Sequence, residues 1–552
     1  MPLAIAELSR LWRTVRWLRA EQVLGRLRMH LPRPAADLRP APPLRAPSGP
    51  WVTPPRRAPS MTGPTRMAFL DEERDLQRDG WDHPDVPLLW RYNLHYFDDL
   101  NAHDASTRSQ WHGALVQRWI EQNPPGAGTG WAPYPTSLRI VNWIKWFRSG
   151  ADAARTWHDH LAVQVRWLAH RLEWHLLGNH LFANAKALTF AGCHFDGPEA
   201  AAWHATGVRI IERELPEQVL GDGGHFERSP MYHALALEDV LDLINAFTAW
   251  PPSDPAGHHV MDTLRNAACR MLDWCRVMRH PDGTLPRFND CADGIAPPFQ
   301  EIERYAAALG ISAASDDAEG VRHLADSGYL RVRCGPATAF IDAAPIGPDY
   351  LPGHAHADTL SFELSLGGRQ LVVNRGTSEY GSGPRRQYER GSAAHSTVQI
   401  GHHDSSEVWA GFRVGRRARP GPLVLDGLRI HGSHDGYTHL PGSPRHHRSW
   451  HFDAKGVTVV DAVDPSPREP AVARFHLAPG LALAPAGPQA WHVIGDTGLA
   501  RVDVTTGHGE SSLTRHALRF GRLADAATLE VRLLDGRSAV RFSWNDPCTS
   551  SS

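Results

Sequence analysis

The chain has 552 residues, 42% hydrophobic and 21% charged, which fills large cores and excludes a wholly disordered chain or a coiled coil. Lys and Arg (58) balance Asp and Glu (60) at a formal net charge of -2, so there is no global electrostatic case for nucleic acid or an anionic membrane as partner. Lys occurs only at Lys145, Lys186 and Lys455; the rest of the positive charge is Arg, which suits bidentate recognition of carboxylate or sulfate. The 33 His and 20 Trp read in two ways, as sugar-stacking rings and proton carriers or as core residues. The six Cys form no CxxC pair, so the spacing points to neither a zinc ribbon nor a thioredoxin-type site.

In chain order, the opening residues carry Leu8, Leu11, Val15 and Leu18 at helical spacing, interrupted by Arg10, Arg13, Arg16 and Arg19. That pattern predicts a basic amphipathic helix, packed on the body or lying on a membrane surface. It lacks the apolar region and small-residue cleavage site of a secretory signal, and no stretch reaches bilayer-spanning length. We therefore expect a cytoplasmic location and no integral membrane segment, with a periplasmic or released protein as alternatives. Residues 33–66 are rich in Pro and read as an extended connector. From 86 to 325 apolar residues recur every three and four positions between Gly- and Pro-containing turns, predicting an all-α layered domain. After Ser327 the period changes to two, as in GYLRVRC and ATLEVRLLDG, predicting antiparallel sheets in a β-sandwich. The boundary is expected at 312–328. The domains are thus 1–85, an amphipathic helix with its connector; 86–325, helical; and 326–552, antiparallel β. The fold class is multidomain α+β.

Four clusters could carry chemistry. Asn179 and His180 stand where one apolar helix yields to another; a cap explains the first and not the second. In 222–233, a Gly pair permits a tight turn and Ser229-Pro230 opens a helix containing Tyr232. In 353–358, His354, His356 and Asp358 project to one side if the segment is extended, a pattern akin to metal ligands that Asn374 and His395 could complete. From 374 to 414, Arg, Tyr and Trp residues, Tyr388 and Arg390 among them, have the content of an anionic-sugar cleft, or of a solvated loop with ion pairs.

Together these stretches resemble the heparinase II/III superfamily of polysaccharide lyases. YPTSLRIVNWIKW (134–146), GNHLFANAKAL (178–188), DGGHFERSPMYH (222–233), HAHADTLSFEL (354–364) and AAHSTV (393–398) occur in family order, and the resemblance runs from YNLHYFDDL (92–100) to EVWAGFRV (407–414). It implies an N-terminal (α/α) toroid followed by antiparallel β-sheets. It implies cleavage of an O4-linked uronic acid by β-elimination, from glycosaminoglycans such as hyaluronan, chondroitin or heparan sulfate, or from a bacterial exopolysaccharide. Asn179 matches the family's carboxylate-neutralising Asn and Tyr232 its catalytic Tyr; His180 is the candidate base from the opposite face, and His354 assists near the carboxylate or positions Tyr232. Arg139, Asn142, Tyr388 and Arg390 are the expected substrate-binding residues. A structural divalent cation, zinc first and manganese or calcium after it, would be held by His356, Asn374 and His395, although Asn374 stands where an acidic ligand is frequent. No organic cofactor and no nucleic-acid partner are expected. A uronate C5-epimerase, a non-catalytic polysaccharide-binding protein of an exopolysaccharide pathway, and a metal-dependent hydrolase are the alternatives.

Overall fold

A computed structural model of the chain describes residues 2–31, 35–252, 255–313, 318–495 and 498–544. The segments with three- and four-residue periodicity are helices: Ser109–Gln122, Pro133–Arg148, Arg155–Ala169, Gly178–His194, Pro198–Gln218, Pro230–Ala249, Pro255–Val277 and Phe299–Ala308. Pro133, Pro198 and Pro230 stand in the first turn of their helices, where a missing N–H costs nothing and the fixed φ favours helix entry. Gly178–His194 is buried continuously from Leu181 to His194, its Asn184 and Lys186 included. Its neighbours present tryptophan to one another: the Trp119 ring lies 5.5 Å from Trp131 and 5.9 Å from Trp143, and all three are buried. For these indoles the core reading holds.

Two short helices, Pro2–Val15 and Ala20–Met29, precede an extended stretch that runs along the helical half. Backbone bonds from Arg45 N to His194 O (2.9 Å) and from Val52 N to Asn245 Oδ1 (3.0 Å) pin it there. Of the expected connector at 33–66, residues 33 and 34 lie outside the described residues. The connector ends in an antiparallel hairpin, Arg66–Phe69 with Glu72–Asp75.

The first strand of the large sheets, Gly320–Leu324, begins a little before the expected start of the β domain at 326. Part of the expected boundary, residues 314–317, lies outside the described residues. Beyond it the described residues form one sheet of nine strands and one of eight, with antiparallel strand pairs. They face each other across a single apolar cluster that takes Leu330, Ile341 and Phe475 from the first sheet and Trp450, Val459 and Phe542 from the second. Strand Arg445–Asp453 alternates buried and accessible positions along its length, the signature of a one-faced sheet. The run LSFELSLGGRQLVVN is two strands, Phe362–Leu366 and Arg369–Val373, turned at Gly367 and Gly368, whose φ values of +57° and +85° suit glycine.

The two halves meet along a third cluster, in which Trp274, Val277, Met278 and Phe288 pack on Leu324, Tyr329, Phe340 and Ala344. Trp274 Nε1 donates to Ser327 Oγ at 2.9 Å across this seam, and Asp222 accepts the Ser327 N–H at 2.7 Å. The Gly pair of 222–233 therefore turns the chain against the β half.

Candidate active site

Tyr232 is placed by its own helix cap. Ser229 Oγ accepts from the Tyr232 N–H at 3.1 Å, and the same hydroxyl donates to the Asp290 carbonyl, fastening the turn below Tyr232 to the segment carrying Asp290. Both Arg228 (φ +58°) and Asn289 (φ +55°) are left-handed, a cost that functional segments tend to bear. The Tyr232 ring stacks on His354 at 3.8 Å, and its hydroxyl lies 3.1 Å from that of Tyr380. Tyr232 belongs to the helical half, His354 and Tyr380 to the β half.

Asn179 and His180 open the buried helix at Gly178. A side chain at 178 would sit 2.3 Å from Leu351 Cδ2, and its φ is +54°, so the turn takes glycine for two reasons. The Asn179 N–H donates to Glu227 Oε1 at 3.4 Å, and Glu227 Oε2 lies 3.5 Å from His354 Nε2. Glu227 thus joins the Asn179 turn to the Tyr232–His354 stack. His180 bonds through Nδ1 to Glu173 Oε1 at 3.1 Å, and its ring lies 4.4 Å from that of Tyr134.

Burial, followed by the neighbouring Tyr380, Tyr134 and Asp290, holds the Tyr232 phenol well above its usual range, so it is protonated at rest. For His180, burial opposes the charged ring, but attraction and hydrogen bonding to Glu173, with Glu227 beyond, outweigh it and raise the pKa. Asp290 anchors the other side of the cluster. Burial alone would raise its pKa, yet Arg386, His354 and His356 hold it well below the carboxylate range. Asp290 accepts from Arg386 through both oxygens, from His354 Nδ1 at 3.0 Å, from His356 Nε2 at 2.9 Å and from Thr377 at 3.2 Å. An ionised Asp290 makes His354 Nδ1 the donor, which leaves Nε2 on the side of Glu227.

Of the four expected substrate-binding residues, Arg139, Asn142 and Arg390 are buried and bonded within the protein. Arg139 is fully buried, over the Trp119 ring at 3.9 Å, and bonds Gln164 Oε1 at 2.8 Å and the carbonyls of His95 and Gly130 at 3.1 and 2.8 Å. Asn142 is spent on Tyr96 O (2.9 Å) and Asp98 Oδ1 (2.7 Å). Arg390 is buried and ties Ala355 O (2.9 Å) to Ala410 O (3.0 Å). Tyr388 is 39% exposed on the short helix Pro384–Arg390, with no contact to the Tyr232 cluster among the described residues. The first three hold loops and helices together.

His356 and His395 do meet, Nδ1 to Nε2 at 3.2 Å. The rest of the expected metal set does not fit a cation. His356 gives its other nitrogen to Asp290, and Asn374 Oδ1 accepts the Ser396 N–H at 2.9 Å. Among the described residues no three His, Cys, Asp or Glu side chains gather as ligands. Asp358 turns away from His354 and His356 and accepts the Asn289 N–H at 2.8 Å; residues 353–360 are turn and coil rather than strand. Asn374 follows a strand and His395 a 3-10 turn, so neither lies within a β segment.

Sequence reasoning gave no role to Asp290, Glu173, Glu227 or Tyr134, and took in Tyr380 and Arg386 only as part of the Arg- and Tyr-rich stretch from 374 to 414. Glu227 and Tyr134 lie inside two of the quoted motifs, where their position was a signal. Asp290 and Glu173 are lone acids with no spacing to mark them.

A helical domain is thus docked on facing antiparallel sheets, with the Tyr232–His354 stack across the seam. Two family descriptions match the chain: "Heparinase II/III N-terminus" over residues 89–306 and "Heparinase II/III-like, C-terminal" over 316–545. The chain belongs to the heparinase II/III superfamily. It is 26% identical over 384 residues to the heparin-sulfate lyase of Bacteroides stercoris, covering 59% of this chain and 56% of that protein. It is 29% identical over 327 residues to the FtsZ-localized protein C of Caulobacter vibrioides, covering 53% and 52%. The chain matches about half the length of these relatives. A solved heparinase III shares the fold, with a TM-score of 0.67 at 18% identity over 87% of this chain and 82% of that one.

Proposed function

We propose that this protein is a polysaccharide lyase that breaks the bond to O4 of a uronic acid by β-elimination. The observation that supports this most is the Tyr232–His354 stack across the seam of the two halves, joined through Glu227 to the Asn179 turn that also carries His180. In this reading the Asn179 amide donates to the uronate carboxylate as charge builds on it, the form of stabilisation that acts where charge develops. Neutral His180 takes the C5 proton. The C5–H electron pair becomes the C4–C5 double bond as the C4–O4 bond breaks, and Tyr232 protonates the departing O4. The Tyr232 phenolate regains its proton through the Tyr380 hydroxyl at 3.1 Å. His354, stacked on Tyr232 and held by Asp290, keeps the phenol aimed.

The test is a panel of heparan sulfate, heparin, chondroitin, dermatan, hyaluronan, alginate and bacterial uronans, read by the ultraviolet absorbance of the unsaturated uronate. The relatives named heparin-sulfate lyase put the first two at the head of the panel. Tyr232→Phe should lower kcat by about 10²–10⁴-fold with little change in KM. Solvent deuterium entering C5 without any absorbance would replace the reading with epimerisation. Retention of polysaccharide with neither signal would replace it with binding alone.

A further inference from the structure

We propose that the two N-terminal helices are a docking surface for an anionic lipid bilayer, on which the protein sits peripherally.

Both helices are turned the wrong way round for a protein that meets only water. On Pro2–Val15, the exposed residues Leu8 (65%), Leu11 (41%), Trp12 (60%) and Val15 (41%) recur at three- and four-residue spacing and form one stripe. The body is met by the opposite side, through polar groups. Arg13 bonds both oxygens of Glu407 at 2.8 and 3.0 Å, Thr14 Oγ1 accepts from the Trp409 indole at 3.1 Å, and Arg10 lies 4.6 Å over the Trp409 ring. On Ala20–Met29 the arrangement repeats. Gln22 and Gly25 are buried against the body, with Gln22 bonded to Tyr350 O at 3.2 Å and Gly25 so close to His175 N that a side chain would come within 2.6 Å. Val23, Leu24 and Leu27 point outward at 46%, 55% and 61% exposure, followed by Leu31 at 62%.

Eight of the eighteen exposed large hydrophobic residues among the described residues thus fall between positions 8 and 31, and such a concentration marks an interaction surface. Charge decides what covers it. Residues 1–31 hold six Arg and two Glu in a chain whose net charge is -2. Arg13 and Arg19 are paired with Glu407 and Glu217 on the body, while Arg16, Arg26 and Arg28 stay exposed beside the apolar stripes. Exposed leucine, valine and tryptophan flanked by arginine is the pattern of a helix lying in the headgroup region of an anionic leaflet. Among the described residues no helix is long and apolar enough to cross a membrane, so the contact is to the surface.

The experiment is flotation of the full chain with vesicles of phosphatidylcholine alone or mixed with phosphatidylglycerol, alongside light scattering of the protein without lipid. Three exposed arginines should favour the anionic vesicles by about 100-fold, and salt should erode the preference. Trp12→Glu with Leu27→Glu places one charge on each outward stripe without touching the body, and should abolish flotation with an unchanged circular dichroism spectrum. Arg16→Gln with Arg28→Gln should reduce the anionic preference and leave weak binding to neutral lipid. Absence of flotation in the unaltered chain, or equal flotation of the Trp12→Glu/Leu27→Glu variant, overturns the proposal. So does a dimer in solution that this variant converts to monomer, since a second copy would then own the surface.

Discussion

At the scale of single residues, the site works by what surrounds each proton carrier. In the proposed reaction His180 is a base only when neutral, and Glu173 favours its charged form. Activity should therefore rise with pH through a limb lying above the ordinary histidine value. Glu173→Gln removes the attraction while burial remains, so the acidic limb of kcat/KM should move to lower pH; a limb that stays in place would show that His180 is not the titrating base. Asp290→Asn leaves Arg386 as a buried cation without its counter-charge and His354 without its strongest acceptor. A loss of about 3–5 kcal/mol is expected in urea unfolding, with a fall in kcat on the surviving folded protein. The expected cation site predicts nothing of the kind for chelators: dialysis against EDTA should leave activity and Tm unchanged, since Asn374 and His356 already have their hydrogen-bond partners. Tyr232, Asn179 and His180 stood out in the sequence because each interrupts an apolar run or opens a helix within a resembling motif. The burial of Arg139 and Arg390 was not legible, for a physical reason. An arginine satisfying buried carbonyls and one facing a cleft look the same in a sequence, because only the packing decides where the guanidinium goes. Asp290 acquires its importance from four residues 64 to 96 positions away, a relation no local spacing records.

At the scale of elements, the helices and strands were readable wherever a period ran long enough. The stretch from 374 to 396 was not, because the seven-residue helix Pro384–Arg390 is too short to show an amphipathic period. The helical half also hides a charged layer that apolar patterning does not announce. Asp242 accepts from Lys145 at 2.5 Å, from Lys186 and from the Tyr305 hydroxyl at 3.0 Å, and Lys186 also reaches Asp239 at 2.7 Å. Two of the chain's three lysines are thus committed to joining the helices Pro133–Arg148, Gly178–His194 and Pro230–Ala249 rather than to meeting an anionic polymer. Asp242→Ala should cost about 3–5 kcal/mol, because it strips the buried Lys145 of its close partner and leaves Lys186 with Asp239 alone. A loss under about 1 kcal/mol in urea unfolding would mean that water already reaches them.

At the scale of the whole molecule, the change of period near residue 320 showed that there are two halves, and nothing in the sequence showed how they dock. That docking assembles the site. Tyr232 comes from one half, His354, Tyr380 and Arg386 from the other, and Asp290 from the segment between the last long helix and the sheets. Loosening the Trp274–Tyr329 seam should thus abolish activity before either half unfolds. In a urea series, loss of turnover is expected at lower concentration than loss of helical circular dichroism; coincident transitions would mean that the halves are one cooperative unit. The order of synthesis adds a further consequence. The helical half leaves the ribosome first, with its own tryptophan core. Only when the sheets follow does the Tyr232 phenol receive its imidazole, so a chain still short of residue 354 lacks the stack that aims that phenol.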